Sequence, residues 1–250
     1  MVSSTVSLLS EASLESVPAV EPTLANQAAQ YFQEMFKKVG EIPVSTWIVL
    51  FVLAALAIVL LVLRGKQGKL SSRMIAHAAL AIALSFLLSH IRLYRMPQGG
   101  SITVASMLPL MLFSYAFGMT PGLVAGMAYG VLEFFQDPVM LPVAPVYALC
   151  QVALDYILGF GCIGLAAAFK EKNKMDATHL SYGIALASVL RFGCSVLSGV
   201  LFFAEYAGDQ NPWIYSSIYN GSYMLPEMII CLAVGIAIGP RLCKAMRRNM

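Results

Sequence analysis

Charge is scarce in this chain. Asp, Glu, Lys and Arg supply 12% of its 250 residues, while 59% are hydrophobic. Soluble domains carry about 25% charged residues, so an ordinary soluble globule is excluded. Apolar runs recur, each close to the roughly 20 residues that span a bilayer. The chain reads as an integral membrane protein. Its net charge of +3 is confined to loops, and no nucleic-acid partner is expected.

Other signatures are missing too. The five cysteines, Cys150, Cys162, Cys194, Cys231 and Cys243, show no C-x-x-C spacing and no clustering with histidine. Four lie in apolar segments, where cysteine acts as a small hydrophobe, so no disulfide, metal or cofactor is expected. "RGKQGKLSS" (64–72) departs from the G-x-x-x-x-G-K-[ST] nucleotide loop, and H-E-x-x-H and G-x-S-x-G are absent. The chain offers neither its own energy source nor an evident catalytic constellation. Residues 1–46 lack the basic start and apolar core of a signal peptide, with five glutamates against two lysines.

What is present is helical. Lipid-exposed backbone must satisfy its own hydrogen bonds, which predicts helices at 47–63, 74–94, 102–117, 121–136, 147–169, 180–203 and 222–240. The organisation follows as an acidic, partly flexible extension (1–46), an extra span with a basic linker (47–73) and a six-helix domain (74–250). Basic residues follow the first span (Arg64, Lys66, Lys69, Arg73), the fifth (Lys170, Lys172, Lys174) and the seventh (Arg241, Lys244, Arg247, Arg248). The positive-inside rule places these clusters in the cytoplasm and the acidic tail and the loops at 94–101, 136–147 and 204–222 outside. "GLVAGMAYG" puts Gly122, Gly126 and Gly130 on one face, and Ala79 and Ala83 give another small-residue face, so neighbouring helices can approach closely.

Three ionisable residues stand out inside predicted spans: Asp155, Arg191 and Glu227. A charge at mid-membrane costs about 2.5–3.5 kcal/mol even on lenient scales, which makes each a functional candidate. Gln151 shares the face of Asp155, one turn before it. A structural Asp155–Arg191 pair is the plainer alternative, and Glu227 is near enough to the surface to be interfacial. The connection "YAGDQNPWIYSSIYNGSY" (206–223) adds Tyr206, Trp213, Tyr215, Tyr219 and Tyr223, with Asn220 as a donor and acceptor. Rings gather at membrane interfaces without any ligand. Beside a buried anion, however, they suit a planar organic cation through stacking and cation–π attraction.

Three segments, "MPQGGSITVASMLPLMLFSYAFG" (96–118), "PVYALCQVALDYILGFGCIGLAAAF" (145–169) and "SGVLFFAEYAGDQNPWIYSSIYNGSYMLPE" (198–227), resemble the thiamine-specific S components of energy-coupling factor (ECF) transporters, the ThiT family. The resemblance covers about 74–240 in order. It implies an all-α, six-helix membrane bundle, here with one extra N-terminal span, that binds external thiamine in the cell membrane of a bacterium. It also implies partners: a transmembrane coupling subunit and two cytoplasmic ATPases. By position, the family's acidic-Tyr pair is Asp155–Tyr156, its basic residue Arg191, and its outer Tyr and Asn are Tyr215 and Asn220. Tyr147 matches an aromatic before the acidic helix. Gln151 and Trp213 complete the expected binding set, and Ala79 and Ala83 match the face shown to the coupling subunit. The chain departs from the family pattern with Asp155 for Glu, Ser195 for His and Phe203 for Trp. Rival readings are an S component for riboflavin or a thiazole precursor, an intramembrane enzyme using Asp155 and Glu227, and a scaffold whose charges only lock the bundle.

Overall fold

The computed structural model describes residues 71–139, 145–171 and 175–248. The expected extension, the first span and Lys172–Lys174 fall outside the described residues. Six helical segments form the bundle. Helix α1 (Ser72–Ser89) begins at Ser71, whose hydroxyl accepts from the Arg73 amide at 3.2 Å. Its outward face carries Ile75, Leu80, Leu84 and Leu87, all exposed, with Ala79 and Ala83 among them.

The sequence places a helix through residue 94 and another from 102, but α1 stops at Ser89. A two-stranded antiparallel hairpin follows, β1 (Arg92–Arg95) with β2 (Ser101–Thr103). It pairs Arg92 with Thr103, Tyr94 with Ile102 and Arg95 with Ser101. Among the described residues this is the one sheet. Its turn needs glycine. Gly99 and Gly100 have φ of 96° and 89°, and a Cβ on Gly100 would lie 2.6 Å from the Tyr223 ring. Those positive φ values suit residues without a Cβ.

Helix α2 (Leu108–Phe117) is short and buried on nearly every side, with Leu110, Met111, Phe113 and Tyr115 at its faces. A helix apolar all round belongs in a core; ten residues reach only about 15 Å, half of a membrane. Helix α3 (Met119–Gln136) follows after Gly118. Its glycine face packs as expected: side chains on Gly126 and Gly130 would overlap the carbonyl oxygens of Phe160 and Tyr156, and one on Gly122 would overlap Ser114. Gly130→Val should therefore separate two helix backbones and lower stability by roughly 1–3 kcal/mol. The check is a fall in the melting temperature of purified protein in detergent.

The fourth segment is composite. Helix α4 (Pro145–Val152) runs into a π-helical stretch (Ala153–Leu158), one α turn (Gly159–Gly161) and a 3-10 stretch (Cys162–Ala167). π-bulges inside helices occur often at functional sites, and this one carries Asp155 and Tyr156. Helix α5 (Ala177–Phe202) is capped by Asp176, whose carboxylate accepts from the His179 amide at 2.9 Å.

Helix α6 (Pro212–Arg247) corrects the sequence expectation. Residues 212–223, read as loop, form its first three turns. Asn211 caps it by accepting from the Trp213 amide at 2.9 Å, and Pro212 takes the first helical position, where its missing N–H costs nothing. Asn220–Gly221 is helix interior and not a bend. Among the described residues, four helical stretches, Ser72–Ser89, Ala148–Ala167, Ala177–Phe202 and Pro212–Arg247, are long and apolar enough to cross a membrane.

Candidate functional site

A cavity of about 150 Å³ opens at the end of the bundle remote from Lys170 and Arg247. Its walls are the hairpin turn, the last turns of α3, the π-helical stretch, the second half of α5 and the first half of α6. Each wall is tied to the next by hydrogen bonds that follow from local sequence.

The aromatic wall comes from spacing. Tyr215, Tyr219 and Tyr223 recur every four residues, so on a helix they share one face. Tyr215 and Tyr219 stack with centroids 6.1 Å apart. Their hydroxyls grip the hairpin turn. Tyr215 donates to Gln98 Oε1 at 2.8 Å, and Tyr219 accepts from the Gln98 amide at 2.8 Å and donates to the Gly99 carbonyl at 3.0 Å. Tyr223 donates to Asn220 Oδ1 at 2.8 Å, while Asn220 Nδ2 donates to the Ser216 carbonyl at 3.0 Å. Asn220 Nδ2 also donates to the Ser195 carbonyl on α5 at 3.4 Å, so Asn220 braces the wall within α6 and across to α5.

Asp155 and Tyr156 diverge. Asp155 lines the cavity, its Oδ2 accepting from Ser198 Oγ at 2.6 Å. The Tyr156 hydroxyl donates to the Asp137 carbonyl at 2.8 Å and accepts from the Val139 amide at 2.9 Å, which locks the segment after α3. Gln151 is fully buried and donates to the Val139 carbonyl at 2.8 Å. It supports the wall from behind, outside the lining. Tyr147 falls within α4, and its side chain lies outside the described residues.

Arg191 reaches the cavity with its guanidinium carbon 4.4 Å from the centre of the Phe160 ring. Its Nε is enclosed and has no hydrogen-bond partner. Among the described residues no Asp155–Arg191 ion pair forms, so the simple structural pair is not what holds the bundle. Ser195 and Phe203 also line the cavity. Trp213 does not. It is 56% exposed on the opposite face of α6, beside Ile214 and Ile218.

Glu227 is 3% exposed and not interfacial. It accepts from the Thr103 amide and hydroxyl, both at 2.6 Å, and from the Ser106 amide at 3.1 Å. The turn it secures includes Ala105, a non-glycine residue at φ 57°. This carboxylate fastens the hairpin to α6.

Several lining residues escaped sequence reasoning: the turn Gln98–Ser101, Tyr129, Glu133 and Asp137. Tyr129 donates to Glu133 Oε2 at 2.8 Å, and Arg92 and Arg95 each reach Asp137 at 2.9 Å. The one signal available was the four-residue spacing of Tyr129 and Glu133 on a predicted helix. No group of three or more His, Cys, Asp or Glu suited to a metal occurs among the described residues.

A membrane helix bundle with an aromatic-walled cavity holding carboxylates and a guanidinium defines a binding protein for small polar organic molecules. Comparison with known proteins narrows that class. The family model for the thiamine transporter protein matches residues 75–246. The thiamine transporter ThiT of Bacillus subtilis (strain 168) is 35% identical, across 60% of this chain and 82% of its own length. The thiamine transporter ThiT of Lacticaseibacillus paracasei is 24% identical, across 51% of this chain and 68% of its own. A solved structure of ThiT from Listeria monocytogenes aligns with a TM-score of 0.59 over 69% of this chain and 96% of its own length, at 21% identity, and shares the fold. The chain belongs to the thiamine transporter family, whose named role is transport and not catalysis.

Proposed function

We propose that the chain captures thiamine from outside the cell membrane as the S component of an ECF transporter, and hands it to a coupling subunit driven by two ATPases. The observation that carries this reading is the cavity itself. Asp155, bonded there by the Ser198 hydroxyl, lines it together with Arg191, the stacked Tyr215 and Tyr219 and the hairpin turn. A carboxylate beside aromatic rings favours a planar organic cation. Asp155, Arg191, Ser195, Phe203 and Tyr215 are the contacts, with Tyr156, Gln151 and Asn220 holding the walls. Calorimetric titration of purified protein with thiamine, riboflavin and a thiazole precursor tests the choice of ligand. Thiamine is expected to bind tightest, and preference for either of the others overturns the reading.

With no nucleotide motif, the isolated chain should bind thiamine in vesicles without accumulating it. Accumulation should require the coupling subunit and ATPases. Ala79 and Ala83 are exposed on α1, where small residues let another helix approach. Ala79→Trp and Ala83→Trp should leave binding intact and cut reconstituted uptake about tenfold or more, a loss of about 1.4 kcal/mol in coupling. Concentrative uptake by the chain alone would sink the proposal.

A further inference from the structure

Four carboxylates line the cavity, Glu133, Asp137, Asp155 and Glu227, against one guanidinium, Arg191. Two of the four are already held by several partners, and their surroundings cancel in charge, since Asp137 carries one arginine more than it needs and Glu227 has neutral donors alone. Asp137 is held by Arg92 and Arg95, and Glu227 is enclosed by donors from Thr103 and Ser106. The remaining two have one hydroxyl each, Ser198 on Asp155 at 2.6 Å and Tyr129 on Glu133 at 2.8 Å. A hydroxyl lends a carboxylate a hydrogen bond but no charge. Arg191, for its part, stacks on Phe160 and leaves its Nε without a partner.

Glu133, Asp155 and Arg191 therefore sum to one net negative charge within a single cavity. Charges withdrawn from water need counter-charges close by. With Asp155 alone, Arg191 would cancel it and the cavity would be indifferent to a cation. The second carboxylate changes the sign. Three different elements supply the set: α3 holds Glu133 one turn beyond Tyr129, the π-helical stretch holds Asp155, and α5 holds Arg191.

We infer that Glu133 is a ligand-facing, specificity-determining residue: with Asp155 it brackets the cavity, so that one carboxylate balances Arg191 and the other balances the fixed charge of a monocation. The inference rests on the reading of this cavity as the thiamine site. Tyr129 then acts as the positioning residue that holds Glu133 toward the cavity. The unpartnered Nε of Arg191 is left as a donor for a neutral acceptor on the ligand, such as a ring nitrogen.

The test compares two ligands of one shape. Thiamine and its neutral isostere, in which carbon replaces the thiazolium nitrogen, are titrated calorimetrically into the full-length protein in detergent. Glu133→Gln should weaken thiamine about 30-fold while changing the isostere by less than about threefold, as expected for loss of a charge interaction in a partly screened site. Glu133→Asp should keep the preference for the cation. Equal losses for both ligands, or no loss for either, overturn the inference while leaving thiamine binding by the unaltered protein intact. Failure of the unaltered protein to bind thiamine overturns the thiamine reading, and the inference with it. Should Glu133→Gln fail to fold, judged by thermal unfolding, Glu133→Ala takes its place: selective loss of thiamine supports the inference, and equal or absent losses overturn it.

Discussion

Asp155→Asn should lower thiamine affinity by roughly 30- to 100-fold without unfolding the protein. The amide keeps the shape and still accepts from Ser198, which donates to Oδ2 at 2.6 Å. What disappears is the charge. A unit charge about 5 Å from a cation, at the effective dielectric of about 20 that suits protein sites, contributes near 3 kcal/mol before competing terms. Titration calorimetry reads the affinity, and a melting curve in the same detergent reads the fold. Asp155→Glu should recover part of the binding, because the charge returns at a displaced position. Unchanged thiamine affinity in Asp155→Asn would remove this residue from the site.

Glu227→Ala should damage stability more than Gly130→Val does. Its carboxylate accepts from two backbone amides and a hydroxyl in the turn that joins the hairpin to α2. Removing the acceptor strands those donors at nearly buried positions. Each orphaned donor costs about 1–3 kcal/mol, and three of them together exceed the loss expected for Gly130→Val. Glu227→Gln should fall between, since one oxygen remains while the new NH2 faces donors. Thermal unfolding ranks the three proteins, and the expected order is Glu, Gln, Ala. Thiamine affinity should follow the same order, because Thr103 and the hairpin turn share the cavity wall. An alanine variant as stable as the parent would mean that Glu227 does not anchor the hairpin.

Much of this architecture was legible from the chain alone. Long apolar runs on a chain poor in charge leave few alternatives to membrane helices, and the four-residue glycine spacing of α3 announced a close helix contact, whose partner, the fourth segment, only the structure names. Asp155, Arg191, Ser195, Phe203, Tyr215 and Asn220 do meet at one cavity. The start of α6 was misread because its composition is that of a loop: tyrosines, serines, an asparagine and a proline. The four-residue spacing of Tyr215, Tyr219 and Tyr223 was the truer signal, since period outweighs polarity when a helix rises clear of lipid. It also explains Trp213, which is two residues before Tyr215 and so points away from the tyrosine face. The hairpin was hidden for another reason. "RLYRMPQGGSIT" is too short to show alternation, and its strands are held by Glu227, which lies 124 positions from Thr103. Glu133 escaped because nothing in one sequence tells a cavity-facing glutamate at a helix end from a solvated one.

Helix α6 has one more consequence. Its 36 residues make a rod of about 54 Å at the standard rise, well beyond the roughly 30 Å thickness of a bilayer's hydrocarbon. One end carries the tyrosine wall and Glu227, and the other carries Lys244 and Arg247. Such a rod behaves as a lever. A tilt of about five degrees around its midpoint moves each tip by roughly 2 Å in opposite directions, given that length. Two prolines, Pro226 beside Glu227 and Pro240, lie inside it, and proline is a usual site of helix bending. The tyrosine wall and the basic end thus belong to one continuous element, so a tilt imposed at one is carried to the other.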